Sequence, residues 1–232
     1  EEGNLLLVDI GTNGEMALKT GDKLLCCSTA AGPAFEGAGI SCGSGATVGA
    51  ISKVTVAENA LAWEAIGGGP GLSLCGSGLI DAVAACLALG YFTPAGRVQK
   101  QLGGSIPFPG SSVTLTQKDI RQVQLAKGAI RAGIDTMLHH CDLTYEALDR
   151  VILCGGFGSY LSPGSAEAIG MLPPGAADKV QVIGNAAGSG AAALLLDRSA
   201  AAEAEEIARK ALCIELSADK YFMQQFIAQL NF

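Results

Sequence analysis

An apolar run that ends in a carboxylate and a glycine turn constrains the fold of this chain most. Residues 5–15 are LLLVDIGTNGE, and the pattern predicts a meander of three short strands, Asn4–Asp9, Gly14–Lys19 and Lys23–Ser28. Backbone N–H groups freed by a glycine turn can bind an anion, and a carboxylate at the strand end can hold the hydrated Mg²⁺ of a nucleotide. A hairpin whose acid only caps the turn explains the same residues.

A second glycine turn follows another predicted strand. The apolar segment Arg150–Cys154 continues into GGFGSYL. Paired glycines at a strand end let the backbone lie against a planar ring or a ribose, and the N-terminus of a following helix favours negative charge. The strand KVQVIG and the helix AAGSGAAALLLD come next, as in an α/β layer. Two such turns favour a nucleotide site over a turn cap.

Helical periodicity and capping residues predict the remaining elements. Residues 76–92 and 116–141 carry apolar residues at helical spacing, with Thr116 as the N-cap of the second helix and Asp119 in its first turn. Residues 41–111 are predicted as an inserted α+β region with loops and extra strands. The tail from Ala200 predicts one helix and a last amphipathic segment.

Composition limits the classes of function. The 232 residues are 49% apolar, enough for one large domain or two subdomains, and the net charge of −7 argues against general nucleic-acid binding. The apolar runs are too short to cross a membrane and no signal-peptide pattern opens the chain, so a cytoplasmic protein is expected. The eight cysteines contain no C-x-x-C pair, which favours buried thiols. A start at Glu1 without methionine indicates a piece of a longer polypeptide.

The two turns together resemble the actin, sugar-kinase and heat-shock-chaperone ATPase (ASKHA) superfamily, in which two α/β halves clamp ATP. DIGTNGE is similar to the second phosphate loop, LCGGFGS to the adenosine loop, and residues 184–194 to a helix at the hinge between the halves. The resemblance implies an α/β, actin-like ATPase (ribonuclease H-like) lobe with a mixed sheet, an N-terminal β-meander and an inserted α+β region. Residues 1–232 would form the second lobe alone.

Longer motifs narrow the resemblance. DIGTNGEMAL, STAAGPAFEGAGISCG, CGSGLIDAV, QLAKGAIRAGI and LCGGFGSYL are similar to the C-terminal domain of the reductive activators of corrinoid proteins. That family implies an upstream [2Fe–2S] domain in the parent protein and ATP-dependent return of Co(II) to Co(I). The implied partners are the corrinoid protein of a methyltransferase system and the chain's own upstream ATPase lobe and ferredoxin-like domain. A homodimer is compatible with it, and neither nucleic acid nor a membrane is expected as a partner.

The resemblance also assigns site residues for ATP and Mg²⁺. Asp9 would hold Mg²⁺ through water, and Glu15 or Glu36 would orient the attacking water, with Asp9 and Glu15 as the catalytic pair. The β- and γ-phosphates would contact Gly11, Thr12, Asn13 and Gly14. The adenosine side would be lined by Gly155, Gly156, Phe157, Gly158 and Ser159. A third nucleotide contact, for which a plain helix N-cap is the alternative, is expected at Gly76, Ser77 and Gly78.

Other interpretations stay open at this point. A sugar-kinase-like phosphotransferase lobe and a non-catalytic ATP-binding module would carry similar turns. Lys127 and Arg131 share a helix face and could touch the nucleotide, although a solvated face is expected. His139 and His140 are expected to interact with the dipole at the end of their helix rather than to bind a metal.

Overall fold

A computed structural model of the chain describes residues 3–156 and 160–232. The strands are β1 (Leu5–Ile10), β2 (Gly14–Thr20), β3 (Lys23–Thr29), β4 (Ala50–Ala57), β5 (Ala60–Ala65), β6 (Ser73–Leu74), β7 (Ser105–Pro107), β8 (Thr114–Thr116), β9 (Arg150–Cys154), β10 (Val180–Val182) and β11 (Ala211–Cys213). The helices are α1 (Gly76–Ala88), α2 (Gln117–His140), α3 (Pro163–Ala168), α4 (Ala186–Leu196), α5 (Arg198–Lys210) and α6 (Lys220–Ala228).

The main sheet is mixed and has six strands in the order β10-β9-β1-β2-β3-β11. β2 is antiparallel to both of its neighbours, which gives the predicted hairpin meander, and the other pairs are parallel. In the central parallel pair Asp9 lies opposite Cys154. The turns that follow β1 and β9 therefore leave the sheet at the same edge, where the carboxyl ends of parallel strands carry ligand sites in α/β proteins.

One face of this sheet is more deeply buried than the other. Leu6, Val8 and Leu18 are fully buried, and Met16 touches α2, so this face forms the core. Burial of each such side chain stabilises the fold by about 1.5–3 kcal/mol. The alternate residues of the same strands, such as Leu7, are only half-buried. The face that carries these alternate residues is called the open face below.

Helix α2 begins where its sequence predicts. The Thr116 hydroxyl accepts the Asp119 N–H at 3.3 Å, and the Asp119 carboxylate accepts the Thr116 N–H at 2.8 Å, which forms a capping box. Helix α1 is shorter than predicted because it ends at Ala88, and Gly90 then turns the chain with a φ of 68°. Gly90 can adopt this angle because it has no Cβ.

Residues 41–111 contain a second sheet, in the order β5-β4-β6, on which α1 packs. A hairpin of β7 and β8 follows. The indole N–H of Trp63 donates to the Pro109 carbonyl at 2.9 Å and so ties the second sheet to the loop before β8. No helix in the parts of the chain that the structure describes is long and apolar enough to span a membrane.

Helices α4 and α5 lie outside the core. They connect β10 at one edge of the main sheet to β11 at the other. No residue between 186 and 210 is buried, although α4 is AAGSGAAALLL. These two helices are called the arm below.

Candidate functional site

The two glycine turns touch each other at the edge of the main sheet. Gly155 has a φ of 102°, and a Cβ at this position would lie 2.5 Å from the Ile10 carbonyl oxygen and 2.6 Å from Oδ1 of Asp9. Only glycine fits both this backbone angle and this approach. At Gly156, the next residue, a Cβ would have no atom of the described residues within 4 Å. The turn after β9 is thus packed onto the end of β1 at one residue and free to meet a ligand at the next.

A cleft of about 960 Å³ opens beside these turns. Of the described residues that were predicted for the nucleotide, four line it: Gly11, Gly76, Ser77 and Gly156. The cleft is large enough for a nucleotide-sized ligand. Its other walls come from the 33–36 turn, the second sheet, α1, the segment before α3 and α3 itself, and they include Glu36, Lys53, Glu64, Asp81, Tyr160 and Ser165.

The turn after β1 is held by its own hydrogen bonds. The Gly11 N–H donates to the Asn13 carbonyl at 2.9 Å, and the Thr12 hydroxyl donates to Oε1 of Glu36 at 2.7 Å. Thr12 and Asn13 are exposed at the tip. Gly14 instead faces the core, where its Cβ position lies 3.2 Å from Thr29. The turn therefore offers its tip to a ligand and uses Gly14 for packing.

The N-terminus of α1 opens on the same cleft. Its N-cap is Cys75, whose side chain makes no capping hydrogen bond, and Gly76–Gly78 form its first turn. The Ser77 hydroxyl donates to the Ser52 carbonyl at 2.9 Å, and a Cβ on Gly78 would lie 2.1 Å from the Ile51 carbonyl oxygen. Gly78 thus allows α1 to lie directly against β4. The free N–H groups and the dipole of this helix end favour an anion.

Two predicted acids lie side by side on the open face. Asp9 and Glu15 are directly opposite each other in the β1–β2 pair, and the Ser28 hydroxyl donates to Glu15 at 3.3 Å. Neither acid belongs to the lining of the cleft. Directly opposed like charges are unfavourable, so this pair favours a cation between the strand ends. In the described ranges no group of three or more His, Cys, Asp or Glu side chains could hold a metal ion.

Cys154 borders this acid pair. Burial and the neighbouring Asp9 carboxylate raise the pKa of its thiol to about 12, so it stays protonated at neutral pH. A protonated thiol adds no negative charge beside Asp9. It is therefore a neutral neighbour of the acid pair at neutral pH.

Asp81 is a cleft residue that the sequence did not reveal. Its side chain is 8% exposed, and Oδ2 accepts the Val54 N–H at 3.3 Å. Oδ1 has no hydrogen-bond partner among the described residues. Burial raises the pKa of this carboxyl, and Ser165, Val54 and Lys53 only partly oppose that effect. The only available signal was one acid inside the apolar helix GLIDAVAAC.

The structure corrects the prediction of a solvated face at Lys127 and Arg131. Both side chains are buried, and the Lys127 ammonium donates to the Asn231 carbonyl. Arg131 forms an ion pair with Asp135 at 2.9 Å and donates to the Tyr145 hydroxyl at 3.0 Å. Neither lines the cleft. Both hold α2 to the rest of the chain.

The helix-end histidines make contacts within the fold. His140 pairs with Asp219 at 2.7 Å, and His139 stacks on the Tyr221 ring with centroids 4.0 Å apart. The remaining predicted adenosine residues, Phe157, Gly158 and Ser159, lie outside the described residues.

Known proteins of three kinds are similar to almost the whole of this chain. The corrinoid activation enzyme RamQ of Eubacterium limosum is 33% identical, in an alignment that covers 98% of this chain and 42% of that protein. The Co(II) methylated amine-specific corrinoid protein reductase of Methanosarcina barkeri is 30% identical, with 98% and 46% covered. A solved structure, "Reductive activator for corrinoid, iron-sulfur protein", superposes with a TM-score of 0.90 at 38% identity and covers 100% of this chain and 40% of that one.

The chain spans less than half the length of these relatives. Residues 3–232 match a family described as the C-terminal domain of RACo, the ASKHA domain. The predicted actin-like α/β fold and the resemblance to corrinoid activators are confirmed. The chain belongs to the family of C-terminal ASKHA domains of RACo.

Proposed function

We propose that this chain is the nucleotide-binding half of an ATP-dependent reductive activator of a corrinoid protein. The observation that carries the proposal is the contact between the turns at Gly11 and Gly155 beside a cleft that also receives the N-terminus of α1. Three backbone segments with donors for an anion converge there. The relatives named for corrinoid activation supply the substrate class.

The phosphates would bind at the tip of the β1–β2 turn and at the N-terminus of α1. Thr12 and Asn13 are exposed at that tip, and the bond from Thr12 to Glu36 fixes its position. Phosphoryl transfer depends on such positioning and on neutralisation of charge more than on covalent chemistry. Gly156, where a Cβ would have no described atom within 4 Å, would meet the adenosine.

Asp9 and Glu15 would hold Mg²⁺ and the attacking water. When bound, the metal neutralises the charge of the phosphates. Asp9 would orient a water of the metal's hydration shell, and Glu15 would accept a proton from the water that attacks the γ-phosphate. The proposal is supported by their opposed positions in the β1–β2 pair, from which both carboxylates could reach one hydrated ion.

The redox half of the reaction belongs to the parent protein. One electron from a reduced [2Fe–2S] domain upstream would convert Co(II) of the corrinoid to Co(I), and hydrolysis of ATP to ADP and phosphate would supply the free energy. The first ATPase lobe, also upstream, would close over the other side of the nucleotide. We place this reaction in the cytoplasm.

The test uses the full-length protein with its corrinoid partner and the variant Asp9→Asn. We expect the variant to fold with nearly unchanged stability, to lose ATP turnover by orders of magnitude, and to leave the visible spectrum of the corrinoid in the Co(II) form. If Asp9 only caps a turn, turnover would persist and stability would fall by about 1 kcal/mol. Reduction by the wild type without ATP would contradict the proposal.

The same measurement separates the other two functions. A sugar-kinase-like lobe would consume ATP only with a hydroxylated acceptor present and would leave the corrinoid unchanged. A non-catalytic module would bind ATP without releasing phosphate. No contact in the described residues favours either of them over corrinoid activation.

A further inference from the structure

Two cysteines are neighbours at one edge of the main sheet. Cys26 belongs to β3 and Cys213 to β11, and the parallel register of these strands places the two residues opposite each other. The Ile214 N–H donates to the Cys26 carbonyl at 2.8 Å, which holds the end of β11 in this register. Among the described strands this is the only pair of cysteines in register. The fold thus brings together two thiols from opposite ends of the chain.

The spacing of the two strands suits a covalent bond between these side chains. Neighbouring strands of a sheet lie about 4.7–4.9 Å apart, and residues that face each other carry their side chains on the same side of the sheet. A disulfide requires two Cα atoms about 4.4–6.8 Å apart. The register of Cys26 and Cys213 places their Cα atoms within this range.

Both thiols are on the open face of the sheet. Cys26 alternates with Leu25 and Cys27, which are buried on the core side, and is itself half-buried. Cys213 is exposed at the end of β11. A reagent in solution therefore meets the thiol of Cys213 first, and the thiol of Cys26 lies next to it.

The electrostatic effects on these thiols agree with their proximity. Burial raises the pKa of Cys26, and the neighbouring Cys213 raises it further. Burial, with smaller effects from Cys26 and Cys213, raises the pKa of Cys27 to about 12. The thiolate is the reactive form of cysteine, so buried and protonated Cys27 does not compete with Cys26 for a partner.

We propose that Cys26 and Cys213 form a reversible disulfide when the protein meets a low-molecular-weight disulfide. The Cys213 thiolate attacks one sulfur of this oxidant, which forms a mixed disulfide and releases one thiol. The Cys26 thiolate then attacks the Cys213 sulfur and releases the second thiol. Two protein thiols are oxidised, the oxidant accepts two electrons, and two protons move from the cysteines to the released thiols.

The bond joins an edge strand covalently to the sheet. β11 has only three residues, and it connects the arm to the segment that carries α6 onto α2. In the reduced protein, β11 pairs only with β3 in the main sheet. The disulfide fixes this pairing. Because one of its cysteines is exposed, reducing thiols reach the bond, and the crosslink follows the redox state of the surroundings.

Peptide mapping of the full-length protein tests the disulfide. Reduced protein is incubated with excess oxidised glutathione without oxygen, free thiols are blocked with iodoacetamide during unfolding, and the digest is analysed by mass spectrometry. We expect a peptide pair joined through Cys26 and Cys213 that separates with dithiothreitol. In Cys26→Ser, a glutathione adduct should persist on Cys213, because the second thiol is missing.

Controls distinguish this pair from the other thiols. Cys42→Ser removes another half-buried thiol, outside the main sheet, and should leave the crosslink intact. If Cys26→Ser fails to fold by circular dichroism, Cys26→Ala replaces it. Wild-type protein that keeps both thiols free, retains glutathione on Cys213, or joins Cys27 to either cysteine would overturn the proposal. None of these results depends on ATP or on a corrinoid, so failure here leaves the proposed function standing.

Discussion

Alanine substitutions at Gly155 and Gly156 test whether the turn after β9 is packed tightly on β1 at the first residue and not at the second. Gly155→Ala puts a Cβ 2.5 Å from the Ile10 carbonyl oxygen and 2.6 Å from Oδ1 of Asp9, at a φ of 102°. The backbone angle costs about 1–2 kcal/mol for a residue with a Cβ. The overlap with backbone atoms costs about 1–3 kcal/mol more. We expect a loss of about 3 kcal/mol in the free energy of unfolding, within a range of about 2–5 kcal/mol.

Gly156→Ala is the matched control. Its Cβ position meets no atom within 4 Å and its φ is not positive, so stability should change by less than about 0.5 kcal/mol. Urea unfolding of both variants measures the difference. In thermal unfolding, about 3 kcal/mol corresponds to a Tm lower by about 6–12 °C in a domain of this size. Equal effects of the two substitutions would refute the close contact between the turns.

Three further outcomes are expected. Burial, with a smaller effect from Arg131, lowers the pKa of Lys127 from 10.5 to about 8, so the unfolded chain binds more protons between these values. As pH increases from 8 to 10.5, the stability of the wild type should rise by up to about 3 kcal/mol relative to that of Lys127→Met. Urea unfolding measures this difference, and Lys118→Met, at an exposed lysine, is the control. Glu15→Gln should lower ATP turnover of the full-length protein by about 10²–10⁴-fold, and Glu36→Gln much less; the reverse order would move the base to Glu36. The isolated 232-residue chain should bind Mg-ATP with a Kd of about 1 mM and without turnover, because a single lobe leaves one side of the nucleotide in water. Micromolar binding in calorimetry would contradict this.

The sequence predicted those elements of the fold that depend on interactions between residues close to each other in the chain. The strand β1, the turn after it and the capping box at Thr116 depend on residues within a few positions of each other, and they were predicted to within about one residue. The C-terminal end of α1 was wrong by four residues, since apolar periodicity continues through Leu89 to Phe92 while Gly90 turns the chain. The short strand β11 was not predicted, because its pairing with β3 is visible only in three dimensions.

The candidate site shows the same limit. Glycine clusters in the sequence predicted that Gly11, Gly76 and Gly156 lie near a ligand site, because a backbone that closely approaches another group often requires glycine. Asp81 was missed, since its burial is set by the second sheet. Lys127 and Arg131 were placed in solvent because periodicity does not reveal partners such as Asn231 and Tyr145, which lie 104 and 14 positions away.

The segment from 229 to 232 completes the buried polar contacts of α2. Gln124 donates to the Leu230 carbonyl at 2.8 Å, Lys127 donates to Asn231, and Gln229 donates to Asp135 at 2.9 Å. The Phe232 N–H donates to Pro94, and its ring packs on Phe92. Without that segment, a buried ammonium and amide would lack partners, which is costly. During synthesis on the ribosome, helix α2 therefore cannot reach its final state until these four residues have emerged.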